Sequence, residues 1–227
     1  MDIDIYTSTN KYEIIYTDPP WELEKAVRKC RPKQTKDLDY PTLGIGEIKK
    51  IHEAASALCA EKSNVFMWTV DKHLAATEKM MAELGFLLHT RMIWDKCNGI
   101  ACAFTIRFSH EYLLWFYKKG GILRPVEEAR GKYTSVIRTR STVHSHKPDI
   151  VYSMFDTMFP NARKLELFAR NHRRGWDCWG NQTSLFDSAQ INNFTETVAN
   201  GERKPYVGAV RTQRDCGTGK ARLSLWD

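Results

Sequence analysis

The chain has 227 residues, 42% of them hydrophobic, a formal charge of +7 and a pI near 9.1. That length and apolar content fit one α/β domain with a sizeable core, and the basic balance suits a polyanionic partner. No apolar run approaches the roughly 20 residues of a membrane span, and the six cysteines contain no Cys-x-x-Cys pair of the kind that builds a zinc site. Without a signal peptide, the thiols are expected to stay reduced in a cytoplasm.

In chain order, Met1 to Lys11 is a short lead with two Asp-Ile pairs, Asp2-Ile3 and Asp4-Ile5. Tyr12 to Thr17 is rich in β-branched and aromatic residues and is stopped by two prolines, which predicts a buried strand with an abrupt end. The next four residues, Asp18-Pro19-Pro20-Trp21, would leave the carboxyl end of that strand, where an open α/β sheet has its ligand crevice. They offer a carboxylate, stiff backbone carbonyls and a flat aromatic face. A nucleobase amino group is a poor nucleophile because its lone pair is delocalised. The Asp18 carboxylate and the Pro19 carbonyl could accept its two N–H bonds and aim the lone pair outward, while Trp21 stacks on the extruded base. A strand followed by a Pro-Pro turn and a capping Asp explains the four residues equally well on their own.

The segment from Lys25 to Lys36 holds six basic residues, Lys29 and Arg31 among them, with no acid between the first and the last. It suits phosphate binding or a solvated loop. Tyr40-Pro41 then makes a turn. Ile48, Ile51, Ala55 and Leu58 recur at helical spacing over Ile45–Ala60, and Val65 to Val70 reads as a buried strand. His73 to Leu84 reads as a helix capped by Gly85, and strands follow at Leu87–Trp94 and Glu111–Tyr117. The connection from Cys97 to Ser109 is long and ends on Arg107 and His110. A basic, Gly-containing loop spans Lys118 to Tyr133. Val136 to Arg140 is a predicted strand whose two arginines share a face. Lys147-Pro148-Asp149 opens a helix reaching about Phe159, Lys164 to Phe168 is a strand, and Trp176 to Gly180 is the last strand.

Three stretches together, Asp18 to Trp21, Ser145 to Asp149 and Leu165 to Gln182, resemble the Asp-Pro-Pro-Trp type of N6-adenine methyltransferase. That family includes the eukaryotic mRNA adenosine methyltransferase and phage and bacterial DNA adenine methyltransferases. The resemblance runs from about Tyr12 to Gln182. It implies a Rossmann-like α/β fold with a mixed seven-stranded sheet flanked by helices, in a permuted motif order, over residues 1–182. Residues 183–227 then form an extension of unknown structure.

By the same resemblance, Asp18, Pro19, Pro20 and Trp21 are catalytic. Asp18, Lys147, Glu166, Phe168, Arg170, His172, Asn181 and Gln182 would hold S-adenosylmethionine, with Lys147 at its carboxylate and Glu166 at its ribose hydroxyls. Trp21, Lys29, Arg31, Tyr40 and Glu111 would meet the acceptor, although a structural salt bridge explains Glu111 as well. Asp2-Ile3 and Asp4-Ile5 both resemble the pair with which the family contacts the donor's adenine, although both lie closer to the Asp18 loop than in the family, and the resemblance leaves their role open. Where the family often has Gly, this chain has Ala169.

The expected activity is methylation of the adenine N6 amine in DNA, with S-adenosylmethionine and no metal, in a bacterial or phage-infected cell. The same chemistry on RNA is the first rival; DNA is favoured because the chain is short and has no appended RNA-binding module. A non-catalytic nucleic-acid-binding partner subunit is the second rival. A phosphate-loop nucleotidase is disfavoured by the lack of a Gly-x-x-x-x-Gly-Lys motif.

Overall fold

The computed structural model describes residues 1–22, 41–99, 105–140 and 146–181. Seven strands form one sheet: β1 (Tyr12–Thr17), β2 (Cys59–Thr69), β3 (Phe86–Asp95), β4 (His110–Lys118), β5 (Val136–Arg138), β6 (Lys164–Leu167) and β7 (Trp176–Trp179). Their order is β5-β3-β4-β2-β1-β6-β7, with β4 antiparallel to both neighbours and every other pairing parallel. The described helices are α1 (Ile45–Ala57), α2 (Leu74–Glu83) and α3 (Asp149–Met158), with short 3-10 turns at Asp71–His73 and Glu127–Ala129. This is the mixed seven-stranded Rossmann-like sheet that the sequence implies.

The central strands read as continuous apolar runs because both faces are covered. Alternate residues of β1 enter separate cores. Ile15 packs with Ile48, Ile51 and Ala55 of α1 and with Met80 and Met81 of α2. Ile14 and Tyr16 pack with Val151, Met154 and Phe155 of α3 on the opposite face. The chain leaves β1 toward β2 on one side, and β6 closes against β1 on the other. The carboxyl ends of β1 and β6 therefore flank a topological switch point, the place where such sheets bind ligands.

Three boundaries differ from the sequence reading. β2 starts at Cys59, not Val65, and α1 ends at Ala57, not Ala60. The Leu58 carbonyl accepts the Tyr12 N–H at 2.8 Å and Cys59 pairs with Tyr12, so pairing with β1 ends the helix early. β5 stops at Arg138, so Arg138 and Arg140 do not share a strand face. Gly85 caps α2 as expected: its φ is +83° and its N–H donates to the Ala82 carbonyl at 3.0 Å.

Candidate active site

The loop after β1 is held from several sides. The Pro19 carbonyl accepts the Trp21 N–H and the Pro20 carbonyl accepts the Leu43 N–H, each at 2.8 Å. The Trp21 indole N–H donates to the Trp68 carbonyl at 3.0 Å, and the ring lies at 16° to the His73 imidazole with centroids 5.1 Å apart. Trp21 is only 7% exposed. Here the structure departs from the sequence reading. The ring expected to carry a base is buried and already stacked on His73, and it pins the loop to the end of β2. The Pro19 carbonyl keeps one lone pair beyond its bond to Trp21, since a carbonyl oxygen has two.

Asp18 sits in a chain of charges. Lys147, just ahead of α3, places its ammonium 3.0 Å from Asp18 Oδ1 and 2.9 Å from Glu111 Oε2. Glu111 also accepts from Lys96 at 2.5 Å. The antiparallel course of β4 makes this possible, because it brings residue 111 to the same sheet edge as the carboxyl ends of its parallel neighbours. Burial pushes the Asp18 carboxyl above its ordinary value, against the pull of Lys147. Burial also pushes Glu111 upward, but Lys147 and Lys96 outweigh it and hold that carboxyl low. Burial alone would lower the Lys147 pKa, yet Asp18 and Glu111 raise it. Lys147 is thus a cation between two carboxylates, where the sequence had placed it on a donor carboxylate. The ammonium's third proton is not used by those two acceptors.

Beside Asp18 opens a cleft lined by Lys147, Tyr152, Glu166, Phe168, Arg170 and Arg173, among others. Glu166 Oε1 accepts the Tyr152 hydroxyl at 2.7 Å, and burial raises the Glu166 pKa to about 7 despite that bond and Arg173. Arg173 lies over the Tyr152 ring at 3.6 Å and donates to Asp149. Two buried polar atoms of cleft-lining residues, Asn171 Oδ1 and Arg173 Nε, have no hydrogen-bond partner within the protein.

Phe168 takes φ of +58°, a left-handed conformation uncommon for a bulky residue, where the chain turns away from β6. Gly180 makes that turn possible. A Cβ there would meet the Ala169 carbonyl oxygen at 2.7 Å and its nitrogen at 2.8 Å. The small residue that lets the two segments meet closely is Gly180, with Ala169 fully buried against it.

At the sheet edge the lead runs beside β7. The Cys178 N–H donates to the Met1 carbonyl at 2.9 Å and the Ile3 N–H to the Cys178 carbonyl at 3.0 Å. Asp2 Oδ1 lies 3.0 Å from His172 Nε2 and from the Cys178 thiol. These three side chains are the described group with metal-ligand geometry, their ligand atoms within 4.8 Å of one another. Burial pushes the Cys178 thiol up to about 12, so the protonated thiol donates to Asp2. Asp4 spends its oxygens on its own turn, accepting from the Tyr6 N–H and the Thr7 hydroxyl. Of the two leading Asp-Ile pairs, the one at Asp2 is thus beside His172.

Asn181 follows β7 and is exposed. Lys29, Arg31, Tyr40 and Gln182, with the basic segment 25–36 and the extension 183–227, lie outside the described residues. Among the described residues Cys59, Cys97 and Cys178 are free thiols, and no helix is long and apolar enough to cross a membrane.

Several site residues escaped the sequence reading. Tyr152 and Arg173 are brought to Glu166 by α3 and by the turn after β6. His52 of α1 is buried beneath the loop, with Nδ1 at 2.8 Å from the Ile48 carbonyl and Nε2 at 3.1 Å from the Thr17 hydroxyl. The carbonyl can only accept, so Nδ1 carries the proton and Nε2 accepts from Thr17. Burial lowers the His52 pKa to about 4, so the ring is neutral. In sequence, each of these residues looks like an ordinary member of a helix or turn.

Comparison with known proteins agrees with this architecture. The MT-A70 family model matches residues 12–182. The type II methyltransferase M.MunI of Mycoplasma sp is 31% identical over 185 residues, which is 75% of this chain and 77% of that protein. The N(6)-adenosine-methyltransferase subunit METTL3 of Danio rerio is 26% identical over 203 residues, 84% of this chain and 32% of that protein. An N(6)-adenosine-methyltransferase MT-A70-like protein of Drosophila melanogaster is 25% identical over 207 residues, 86% of this chain and 31% of its own length. The chain spans about a third of those longer relatives and most of M.MunI. With the Asp18 loop at the switch point and the family match across the whole described sheet, the chain belongs to the MT-A70 family of adenine N6-methyltransferases.

Proposed function

We propose that the chain methylates the N6 amine of adenine in DNA, in the cleft beside Asp18, with S-adenosylmethionine as donor. When bound, S-adenosylmethionine supplies an electrophilic methyl group on a sulfonium. The cleft fits such a group on its own chemistry. It pairs an aromatic residue, Phe168, with a carboxylate, Glu166, and two of its lining residues keep buried polar atoms without protein partners. In this reading Glu166 accepts the ribose hydroxyls, and Arg170, Asn181, Gln182 and the Asp2–His172 pair hold the rest of the donor.

The observation that carries the proposal is the position of Asp18. Its carboxylate stands at the carboxyl end of β1, next to the cleft, and Lys147 favours its ionised form. An ionised carboxylate only accepts, and it has room for more than one donor. Asp18 and the second lone pair of Pro19 then take the two N–H bonds of the amine and orient its lone pair. The rate comes from positioning and preorganised charge. Trp21 contributes by fixing the loop.

The DNA reading rests on the pattern of similarity. M.MunI is matched over 77% of its length, whereas the relatives named for adenosine, a ribonucleoside, are matched over about a third. The deciding experiment incubates the protein with methyl-labelled S-adenosylmethionine and matched DNA and RNA oligonucleotides, then identifies the labelled nucleoside. N6-methyldeoxyadenosine is expected. Label only in N6-methyladenosine moves the substrate to RNA, and label in neither overturns the reading.

A further inference from the structure

The segment leading into β4 presents two large apolar side chains to solvent, Ile106 at 71% and Phe108 at 62% exposure. Arg107 stands between them and donates one of its five N–H bonds to the Gly99 carbonyl. The end of the segment is fixed, since the Ser109 carbonyl accepts the Lys96 N–H at 2.9 Å. Phe108 is three residues from Glu111, so their Cα atoms are at most about 11 Å apart. Glu111 in turn shares Lys147 with Asp18. An exposed aromatic tip therefore stands on the rim of the catalytic edge.

We infer that Phe108, with Ile106, is a wedge that enters the base stack beside the target adenine and fills the gap left when that adenine swings out. This rests on the function proposed above. A base inside a duplex cannot reach a carboxylate in a cleft, so it must be extruded, which costs the stacking and pairing of its site. Phe and Ile are side-chain types that occupy such unstacked steps. Phe108 gains the burial it lacks in the free protein while offsetting part of that cost.

The surrounding charge favours nucleic acid as the occupant. Arg107 divides the apolar pair. Arg138 is 77% exposed, lies 3.8 Å from the Asp95 carboxylate, and its strand is reached from His110 through Asp95, two strand spacings or about 10 Å away. Two exposed guanidiniums beside an aromatic tip complement phosphates flanking stacked bases. A second copy of the chain fits less well. A stable dimer buries about 800 Å2 on each partner, and one aromatic side chain supplies only about 150–250 Å2.

The test uses the full chain and three DNA substrates of one sequence: a matched duplex, the same duplex with an abasic site opposite the target adenine, and the single strand. Phe108→Ala is expected to methylate the matched duplex at least about tenfold more slowly than wild type, and the single strand at the wild-type rate. The abasic duplex, already unstacked, should restore most of the loss, and Phe108→Trp should keep wild-type behaviour. With 2-aminopurine beside the target, wild type should raise its fluorescence on binding and Phe108→Ala should not. Equal loss on duplex and single strand overturns the wedge, as does no loss on any substrate, or a wild type active on single strands alone. A wild-type dimer that Phe108→Ala converts to monomer by sedimentation assigns the tip to a protein interface and also overturns it. If wild type methylates none of the substrates, the proposed function fails first, and the wedge that rests on it fails too.

Discussion

The Lys147 ammonium lies 3.0 Å from Asp18 Oδ1 and 2.9 Å from Glu111 Oε2, so one cation holds together two carboxylates contributed by separate strands' ends. Removing it leaves two partly buried anions facing each other. Lys147→Met should therefore cost stability, about 3 kcal/mol, as breaking a buried pair does. It should also push the Asp18 pKa further up, because Lys147 is its main downward influence. The acid limb of the pH–rate profile should then move to higher pH, and Lys147→Arg should partly restore it. Thermal melts and kcat/KM profiles measure the two effects; an unshifted acid limb in Lys147→Met would show that Asp18 does not depend on this lysine.

Asp18→Ala should abolish methyl transfer and leave donor affinity within a few-fold of wild type. The carboxylate lines the cleft and is bound to Lys147, whereas the buried polar atoms left for the donor belong to Asn171 and Arg173. Calorimetry with S-adenosylmethionine and a transfer assay on the same preparation separate binding from chemistry. Wild-type turnover in the variant would remove Asp18 from the mechanism.

Donor binding should be pH-dependent through Glu166. Its folded pKa is about 7 against an ordinary 4.5, raised by burial. The protonated carboxyl favours the fold, so this residue's stabilising contribution is full below pH 4.5 and is lost as pH rises through 7. The charged form at high pH carries a penalty on the order of 3 kcal/mol before any ligand binds. Ribose hydroxyls donating to the anion would reverse the preference. Donor affinity should accordingly rise with pH up to about 7, by at most about tenfold per pH unit, and then level off. Glu166→Gln should bind weakly with a flat profile. Isothermal titrations between pH 5.5 and 8.5 measure the slope, and a flat wild-type profile would place the ribose elsewhere.

Gly180→Ala should destabilise the protein and weaken donor binding together. The added Cβ would stand 2.7 Å from the Ala169 carbonyl oxygen and 2.8 Å from its nitrogen, both backbone atoms that cannot step aside. Overpacking of that kind costs about 1–3 kcal/mol. Ala169→Gly, the family's more usual residue, relieves none of the contact with backbone atoms and should not rescue Gly180→Ala. Melting temperatures of the two single variants and the double variant check this.

The elements were legible in the sequence where local pattern decides them. β1 could be read from Tyr12 to Thr17 because five of its six residues are β-branched or aromatic and two prolines stop it, and Gly85 marked the end of α2 because only a left-handed turn fits there. Asp18, Glu166 and Phe168, which line the cleft, could be singled out because their motifs are contiguous and sit at strand ends. The relations among them were not legible, since each depends on pairing across the sheet. Glu111 and Lys147 are 36 residues apart and meet because β4 runs antiparallel and delivers its first residues to the catalytic edge. Trp21 looked like a free aromatic platform, but the end of β2 offers it the Trp68 carbonyl, and burial follows. Tyr152 and His52 became site residues only when α3 and α1 packed on opposite faces of β1. Sequence alone determined which chemical groups the chain carries and on which elements. The tertiary structure decided their partners, and with them which carboxylate is charged and which aromatic ring is left exposed.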